Sequence, residues 1–333
     1  MRSRSKPVKW DDLRMEFISN CTADAISKAA QSLKDGHLVA FPTETVYGLG
    51  ANATNEKAVS RIYSVKGRPI GHPLIVHISS INKLEQWATN IPDYAIKLAR
   101  EFWPGPMTLI LPRTDLAKDF ITGGQNNVGL RVPAQPLALA LLKKFEELGG
   151  EGVAAPSANR FSAVSPTSAE AVSDELGKEL FLNDLILDGG ECEVGIESTI
   201  INCTKTVPEL LRPGFVSFDQ IKDCIQSKIT NFSKTHSLRY SGQSKKHYSP
   251  KASVELNTNA NVGDGFIALK FVPTPKGAIR LASPENNRDF ARVLYKTLRE
   301  ADRLKLSRVV VELPTAEDIG TAIIDRLTKA ANK

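Results

Sequence analysis

Cysteine is scarce: Cys21, Cys192, Cys203 and Cys224 are the only four in 333 residues, and no two are spaced Cys-x-x-Cys. This argues against a structural zinc site and a disulfide framework, and leaves free thiols in a reducing cytosol as the default. No apolar run approaches the ~18 residues a membrane-spanning helix needs. No apolar core follows the basic opening from Met1 to Lys9, as a secretory signal requires. A cytoplasmic chain with no membrane partner is therefore expected, with residues 1–20 a flexible extension. An organellar transit peptide is disfavoured by the shortness of the basic stretch and by Asp11 and Asp12. The chain also lacks a Gly-x-x-x-x-Gly-Lys-[Ser/Thr] loop, a Gly-x-Ser-x-Gly elbow, a His-Glu-x-x-His pair and any fixed-period repeat. A covalent nucleophile is not indicated.

What is present fits a globular protein with a real core: 41% hydrophobic and 24% charged residues. The length suits two domains. A net charge of +6, spread along the chain, points only faintly to anionic ligands or nucleic acid.

Up to about Gly214, strand-like and helix-like stretches alternate. Residues 37–41, 74–78, 108–111, 128–132, 153–155, 185–187 and 199–202 read as strands. A helix is expected over 55–66, with Thr54 as N-cap, Val59, Ile62 and Tyr63 on one face and Gly67 just past its end. Another is expected over 137–148, closed by Gly149-Gly150. This predicts an α/β domain over 21–217, an open sheet with helical cover. Apolar density then falls, and Ser, Lys and Thr dominate 227–246, so 218–262 reads as an exposed linker. Residues 266–271 and 308–313 read as strands and 287–304 and 316–329 as helices, predicting a small Rossmann-like α/β domain over 263–333. It lacks a Gly-x-Gly-x-x-Gly turn and so carries no dinucleotide signal.

The segment Phe41-Pro42-Thr43-Glu44-Thr45-Val46-Tyr47-Gly48-Leu49-Gly50 sets hydroxyls and glycines after a strand. In an extended segment Thr43 and Thr45 share a face and can accept from an ammonium or donate to a carboxylate. Gly48 and Gly50 permit close backbone approach to a ligand. A capped turn entering a helix would suit the same residues. Lys66 and Arg68 flank Gly67 at a helix end, with Arg61 earlier on that helix. Such a pair suits phosphate oxygens, or merely complements the helix C-terminus. His77, inside an apolar run, reads as a core histidine unless its neighbours make it a ligand. Pro156-Ser157-Ala158-Asn159 and Ser165-Pro166-Thr167 follow a strand, where open α/β sheets bind ligands. An Asx turn with a helix cap at Thr167 is the alternative. Gly195-Ile196-Glu197-Ser198-Thr199 and Leu211-Arg212-Pro213-Gly214 form two further clusters at strand edges.

Together with Trp103-Pro104-Gly105-Pro106-Met107-Thr108, Gly129-Leu130-Arg131-Val132-Pro133 and His247-Tyr248-Ser249-Pro250, these motifs, in this order, resemble the threonylcarbamoyl-AMP synthase family in its two-domain form. The resemblance covers nearly the whole chain from Cys21 and implies a YrdC-like twisted open sheet with helices, a linker and a small C-terminal domain. It implies conversion of L-threonine, bicarbonate and ATP, with Mg2+, to L-threonylcarbamoyl-AMP and pyrophosphate. A separate threonylcarbamoyl transferase complex would then use the product to make N6-threonylcarbamoyladenosine in tRNA.

By the same resemblance, Thr45, His77, Arg131, Ser157 and Ser198 are threonine contacts. Lys66, Arg68, Asn159, Thr167 and Arg212 are ATP contacts, and no protein residue is a metal ligand. Two more ATP contacts depart from the family pattern: His72 stands where Asn is usual, and Asn127 where Thr is frequent. Tyr248 belongs to a segment that either folds over the ligands and excludes water or is a plain hinge. Arg131 suits a bidentate pairing with the threonine carboxylate. A carbamate would attack the ATP α-phosphate with charge supplied by Lys66, Arg68, Arg212 and Mg2+. Two other readings stand beside this one. Weak RNA or tRNA binding on a basic concave surface agrees with the net charge, though no aromatic–basic interleaving supports it. A carbamoyl transferase of hydrogenase maturation would bring zinc-binding cysteine pairs, which are missing.

Overall fold

The computed structural model describes residues 16–18, 22–230, 238–245 and 247–332. Cys21, and the expected extension apart from 16–18, lie outside the described residues. In chain order the elements begin β1 (Glu16–Ile18), α1 (Ala23–Lys34), β2 (Val39–Phe41), β3 (Gly48–Asn52), α2 (Glu56–Lys66) and β4 (Ile75–His77). They continue α3 (Leu84–Trp87), α4 (Asp93–Phe102), β5 (Met107–Pro112), α5 (Asp119–Thr122), β6 (Asn127–Arg131), α6 (Pro136–Glu147) and β7 (Val153–Ala154). Then come α7 (Ala169–Leu176), β8 (Leu185–Leu187), β9 (Thr199–Asn202), β10 (Glu209–Arg212) and α8 (Phe218–Ile225). The chain closes with β11 (Ser253–Leu256), β12 (Gly265–Ile267), β13 (Ile279–Ala282), α9 (Asn287–Arg303), β14 (Arg308–Val311) and α10 (Gly320–Ala331).

The first ten strands form one mixed sheet in the order β1-β8-β2-β3-β7-β4-β6-β5-β9-β10, the α/β architecture expected. Its inner strands are buried on both faces, which is why they read as apolar runs rather than alternations. β1 pairs in parallel with β8, so the extension expected over residues 1–20 contains an edge strand, ordered by pairing and too short to show a period. α2 is capped by Asn55, whose side chain accepts from Ala58 N, and not by Thr54, whose hydroxyl donates to Asn52 Oδ1. Gly67 closes α2 in the left-handed region at φ +59°, as expected.

The glycines of 48–50 lie in a strand, not a loop. A Cβ at Gly50 would sit 2.8 Å from the Phe41 ring and from the Val153 side chain, so this glycine serves strand packing rather than a ligand. The loop joining β2 to β3 therefore leads into a strand and not into a helix.

The stretch 218–262 holds α8, entered through a Ser217–Gln220 capping box, and β11, which pairs in parallel with β14. β11, β14, β12 and β13 make a four-stranded parallel sheet in that order, the small second α/β unit. Its helix α9 carries an apolar face of Phe290, Leu294, Tyr295 and Leu298. That face joins Val46, Val164, Val194 and Ile196 of the first unit in one buried cluster. Gly195, at φ +79°, makes this possible: a Cβ there would lie 2.5 Å from Ala291 O and Arg292 Cα on α9. Among the described residues no helix is long and apolar enough to cross a membrane.

Candidate active site

The β2–β3 loop, the ends of β4, β6 and β10, the entry to β9, and residues Ser241, Gly242, His247 and Tyr248 enclose a partly open cleft of about 560 Å3, mouth included. All five expected threonine contacts line it: Thr45, His77, Arg131, Ser157 and Ser198. Of the expected ATP contacts, Arg68, Arg212 and Tyr248 do. The other five lie elsewhere. Asn127 borders a smaller recess with Gln125, Arg239 and Tyr240. Thr167 borders a crevice facing Lys251 and Arg299. His72 packs edge-on against Phe161 at 5.3 Å.

Lys66 is buried, and its ammonium donates to the carbonyls of Ser157 (2.6 Å) and Asn159. It braces the turn that presents Ser157. Burial, and then the neighbouring Arg68 charge, hold its pKa well below the ordinary lysine value. Asn159 donates its amide to the carbonyls of Arg160 and Ala163 beside the same turn. Arg61 is spent on a bidentate pair with buried Asp184 at 2.8 and 2.5 Å and takes no part in the cleft.

The threonine pair forms a hydroxyl relay. Thr43 Oγ1 lies 2.6 Å from the Val46 carbonyl, which can only accept, so Thr43 donates there. The 2.8 Å contact between the two hydroxyls must then carry the Thr45 proton. Thr45 also accepts from Arg131 Nη1 at 2.9 Å. Its one remaining capacity toward the cleft is a lone pair, so of the two roles open in the sequence it can accept from an ammonium or hydroxyl and cannot donate to a carboxylate. The turn itself lines the cleft.

Arg131 is held on three sides. Nε donates to Gly105 O at 3.2 Å, Nη1 to Thr45, and Nη2 lies 2.6 Å from Glu44 Oε1 in an ion pair off the hydrogen-bond line. Glu44 also accepts from Ala134 N at 3.0 Å. Glu44 sits in the opening motif yet was given no role; a carboxylate in a polar loop reads as solvated until its distant partner is known.

Arg68 and Arg212 differ from Arg131. Both are buried, and among the described residues neither is in an ion pair. Arg68 makes one side-chain hydrogen bond, from Nη2 to Pro73 O at 3.0 Å. Burial lowers its pKa to about 10, and burial lowers Arg212 as well. Arg212 donates to Ser198 O, Ser198 Oγ and Ser241 O. Arg68 Nε, His77 Nδ1, His247 Nδ1 and Tyr248 Oη, all from cleft residues, have no hydrogen-bond partner, nor does Asn159 Oδ1 beside them. Buried polar atoms are normally satisfied, so this concentration of unmet capacity marks a place built for a polar, anionic ligand.

One carboxylate, Glu197, borders the cleft and another, Glu44, pairs with Arg131 behind it; both are engaged. Glu197 accepts from Ser165 Oγ (2.6 Å), Tyr295 Oη (2.8 Å) and Arg326 Nε (2.8 Å). Burial alone would raise its pKa, but Arg326, Arg212 and the hydrogen bonds pull it down to about 2. With Glu44 and Glu197 committed, the residues do not offer Mg2+ a site, and the described residues hold no group of three His, Cys, Asp or Glu side chains placed for a metal. Any magnesium ion in this cleft would have to be held by its ligand.

Burial, and then the Arg131 charge, lower His77 to about 3; burial also brings His247 to about 3. Both folded values lie below the unfolded one near 6.5, so between these limits the unfolded chain binds more protons. Stability is then present above about pH 6.5 and lost on acidification. Going from pH 7.5 to 5, the two histidines together should cost roughly 4 kcal/mol of unfolding free energy, read from urea midpoints. A midpoint unchanged over that range would contradict the neutral, buried placement.

Comparison with known proteins agrees with these features. The family model described as "Telomere recombination" matches residues 31–214, and that described as "Threonylcarbamoyl-AMP synthase, C-terminal domain" matches residues 216–332. A threonylcarbamoyl-AMP synthase of Pyrococcus abyssi is 38% identical over 327 residues, covering 91% of this chain and 93% of that protein. One of Bacillus subtilis is 36% identical over 327 residues, covering 92% of each. The crystal structure of P. abyssi Sua5 complexed with L-threonine matches with a TM-score of 0.85 at 35% identity, covering 95% of this chain and 97% of that one. With both family models matched in order and full-length relatives at this identity, the chain belongs to the threonylcarbamoyl-AMP synthase family, in its two-domain form.

Proposed function

We propose that this chain joins L-threonine, bicarbonate and the AMP moiety of ATP into L-threonylcarbamoyl-AMP, releasing pyrophosphate, and supplies a threonylcarbamoyl transferase acting on tRNA. The observation that carries the reading is a pair of buried guanidiniums, Arg68 and Arg212, in no ion pair among the described residues and facing a cleft lined by the hydroxyls of Thr43, Thr45, Ser157, Ser198, Ser241 and Tyr248.

The threonine amine adds to bicarbonate with loss of water, giving a carbamate. A carbamate oxygen then bonds to the α-phosphorus as the bond to the pyrophosphate oxygen breaks. No protein nucleophile is needed; the work is positioning and charge stabilisation. Thr45 accepts from the substrate amine or hydroxyl. Arg131, with Nε taken by Gly105, offers the carboxylate only what is left on Nη1 and Nη2, and its charge is already offset by Glu44. Arg68 and Arg212 meet phosphate oxygens. His77, neutral down to about pH 3, is too weak a base to take a proton at neutral pH and serves as a polar contact. Residues 238–242, 247 and 248 lie over the cleft and the neighbouring sheet face: Tyr240 packs with Ile110, Ile200 and Leu211, and Ser241 and Tyr248 border the cleft. That leaves less support for RNA binding on an open concave face.

Val46, Ile75, Ala155 and Pro156 give the cleft an apolar wall suited to the threonine methyl. One methyl in such a pocket is worth at least about ten-fold in specificity. Pyrophosphate release from ATP should therefore be at least about ten-fold more efficient with threonine than with serine; equal efficiency would contradict the assignment of threonine.

A further inference from the structure

The C-terminal unit packs against several residues of the cleft, Val46, Glu197, His247 and Tyr248 among them. Tyr248 is 1% exposed and sits at φ +60°, in the left-handed region a tyrosine adopts only when its surroundings over-determine it. Those surroundings come from the C-terminal helices. The ring of Tyr295, on α9, stacks on the Tyr248 ring at 5.6 Å and 22°. The guanidinium of Arg326, on α10, lies 5.3 Å from the centre of the same ring. Both side chains are completely buried, and both bond to Glu197, the residue before Ser198. One carboxylate thus ties two helices of the second unit to the strand entry that presents Ser198, and the two tied side chains clasp Tyr248.

We propose that Tyr295 and Arg326 are positioning residues for the reaction. Anchored on Glu197, they hold Tyr248 at the nucleotide side of the cleft, and this is the contribution of the C-terminal unit to turnover. The inference rests on the functional reading above. Packing alone does not require it, because the shared apolar cluster of Phe290, Leu294 and Ile323 with Val46 and Ile196 already docks the two units. A buried carboxylate, guanidinium and phenol in that interface cost desolvation and are better explained by the geometry they impose.

The test is a double-mutant cycle in the full-length enzyme, read by pyrophosphate release and by threonine binding in calorimetry. Tyr295→Leu removes the stacked ring; it is expected to lower kcat/KM for ATP about ten-fold while threonine Kd stays within about two-fold. Tyr295→Phe restores the ring and should recover most of that loss. In a Tyr248→Ala background Tyr295→Leu should add little, because its effect passes through Tyr248. Should Tyr295→Leu fail to fold, Arg326→Lys keeps the charge on Glu197, loses the planar contact with Tyr248, and is expected to cost about five-fold in kcat/KM for ATP. Losses that multiply in the double mutant, or a lowered melting temperature with wild-type kinetics, would overturn the inference and leave the functional reading intact. A wild-type chain that releases no pyrophosphate would overturn the functional reading, and this inference with it.

Discussion

Arg68→Met is expected to lower kcat/KM for ATP by two to three orders of magnitude while leaving threonine affinity within about two-fold. Removing one well-placed donor from a transition-state charge site costs about 10²–10³ in rate. Arg68 is proposed as such a donor: a buried cation with, among the described residues, one side-chain hydrogen bond and no ion pair, its pKa pulled down by burial. The same isolation predicts an unusual companion result. Deleting an unpaired buried charge removes a desolvation cost, so the melting temperature of the ligand-free variant should hold or rise even as turnover collapses. Steady-state pyrophosphate release with ATP varied, beside thermal melts, checks both halves. A loss below ten-fold would remove Arg68 from the phosphate site.

Glu44→Ala is expected to have the opposite profile, a large loss of stability. Glu44 and Arg131 are almost fully buried. Truncating the carboxylate strands the Arg131 guanidinium without its counter-charge and leaves the Ala134 amide without its acceptor. Breaking one side of a buried pair costs about 3–5 kcal/mol. Threonine affinity should fall with it, because Arg131 Nη1 fixes the Thr45 hydroxyl. Glu44→Gln keeps the acceptor for Ala134 and should lose clearly less. Urea unfolding of the three proteins decides the point; a cost under about 1 kcal/mol for the alanine variant would mean that Arg131 is solvated and the relay is not as described.

The contrast between these residues shows what could be read from the chain. Local chemistry was legible: the threonine-, serine- and arginine-bearing motifs after strands do meet at one cleft, because strand ends in an open sheet converge there. Long-range partnership was not. Lys66 looked like a phosphate ligand beside Arg68, yet two carbonyls from the Ser157–Asn159 turn claim its ammonium. Glu44 and Glu197 stand in the motifs with no role readable from sequence, and each is a buried anchor for an arginine far along the chain. The polar composition of 227–246 reads as an exposed linker, and a count of serines and lysines does not reveal that Tyr240 packs inward, as does Tyr248 just beyond it. β3 was missed because its glycines were read as permitting close approach to a ligand, whereas Gly50 lets Phe41 and Val153 close in.

The most direct test of the central claim, that this cleft holds ATP for attack by a carbamate made from threonine and bicarbonate, is pyrophosphate release measured with each substrate omitted in turn. The account predicts release only when ATP, threonine and bicarbonate are all present. Release of comparable rate from ATP without threonine, or in bicarbonate-depleted buffer, would contradict it.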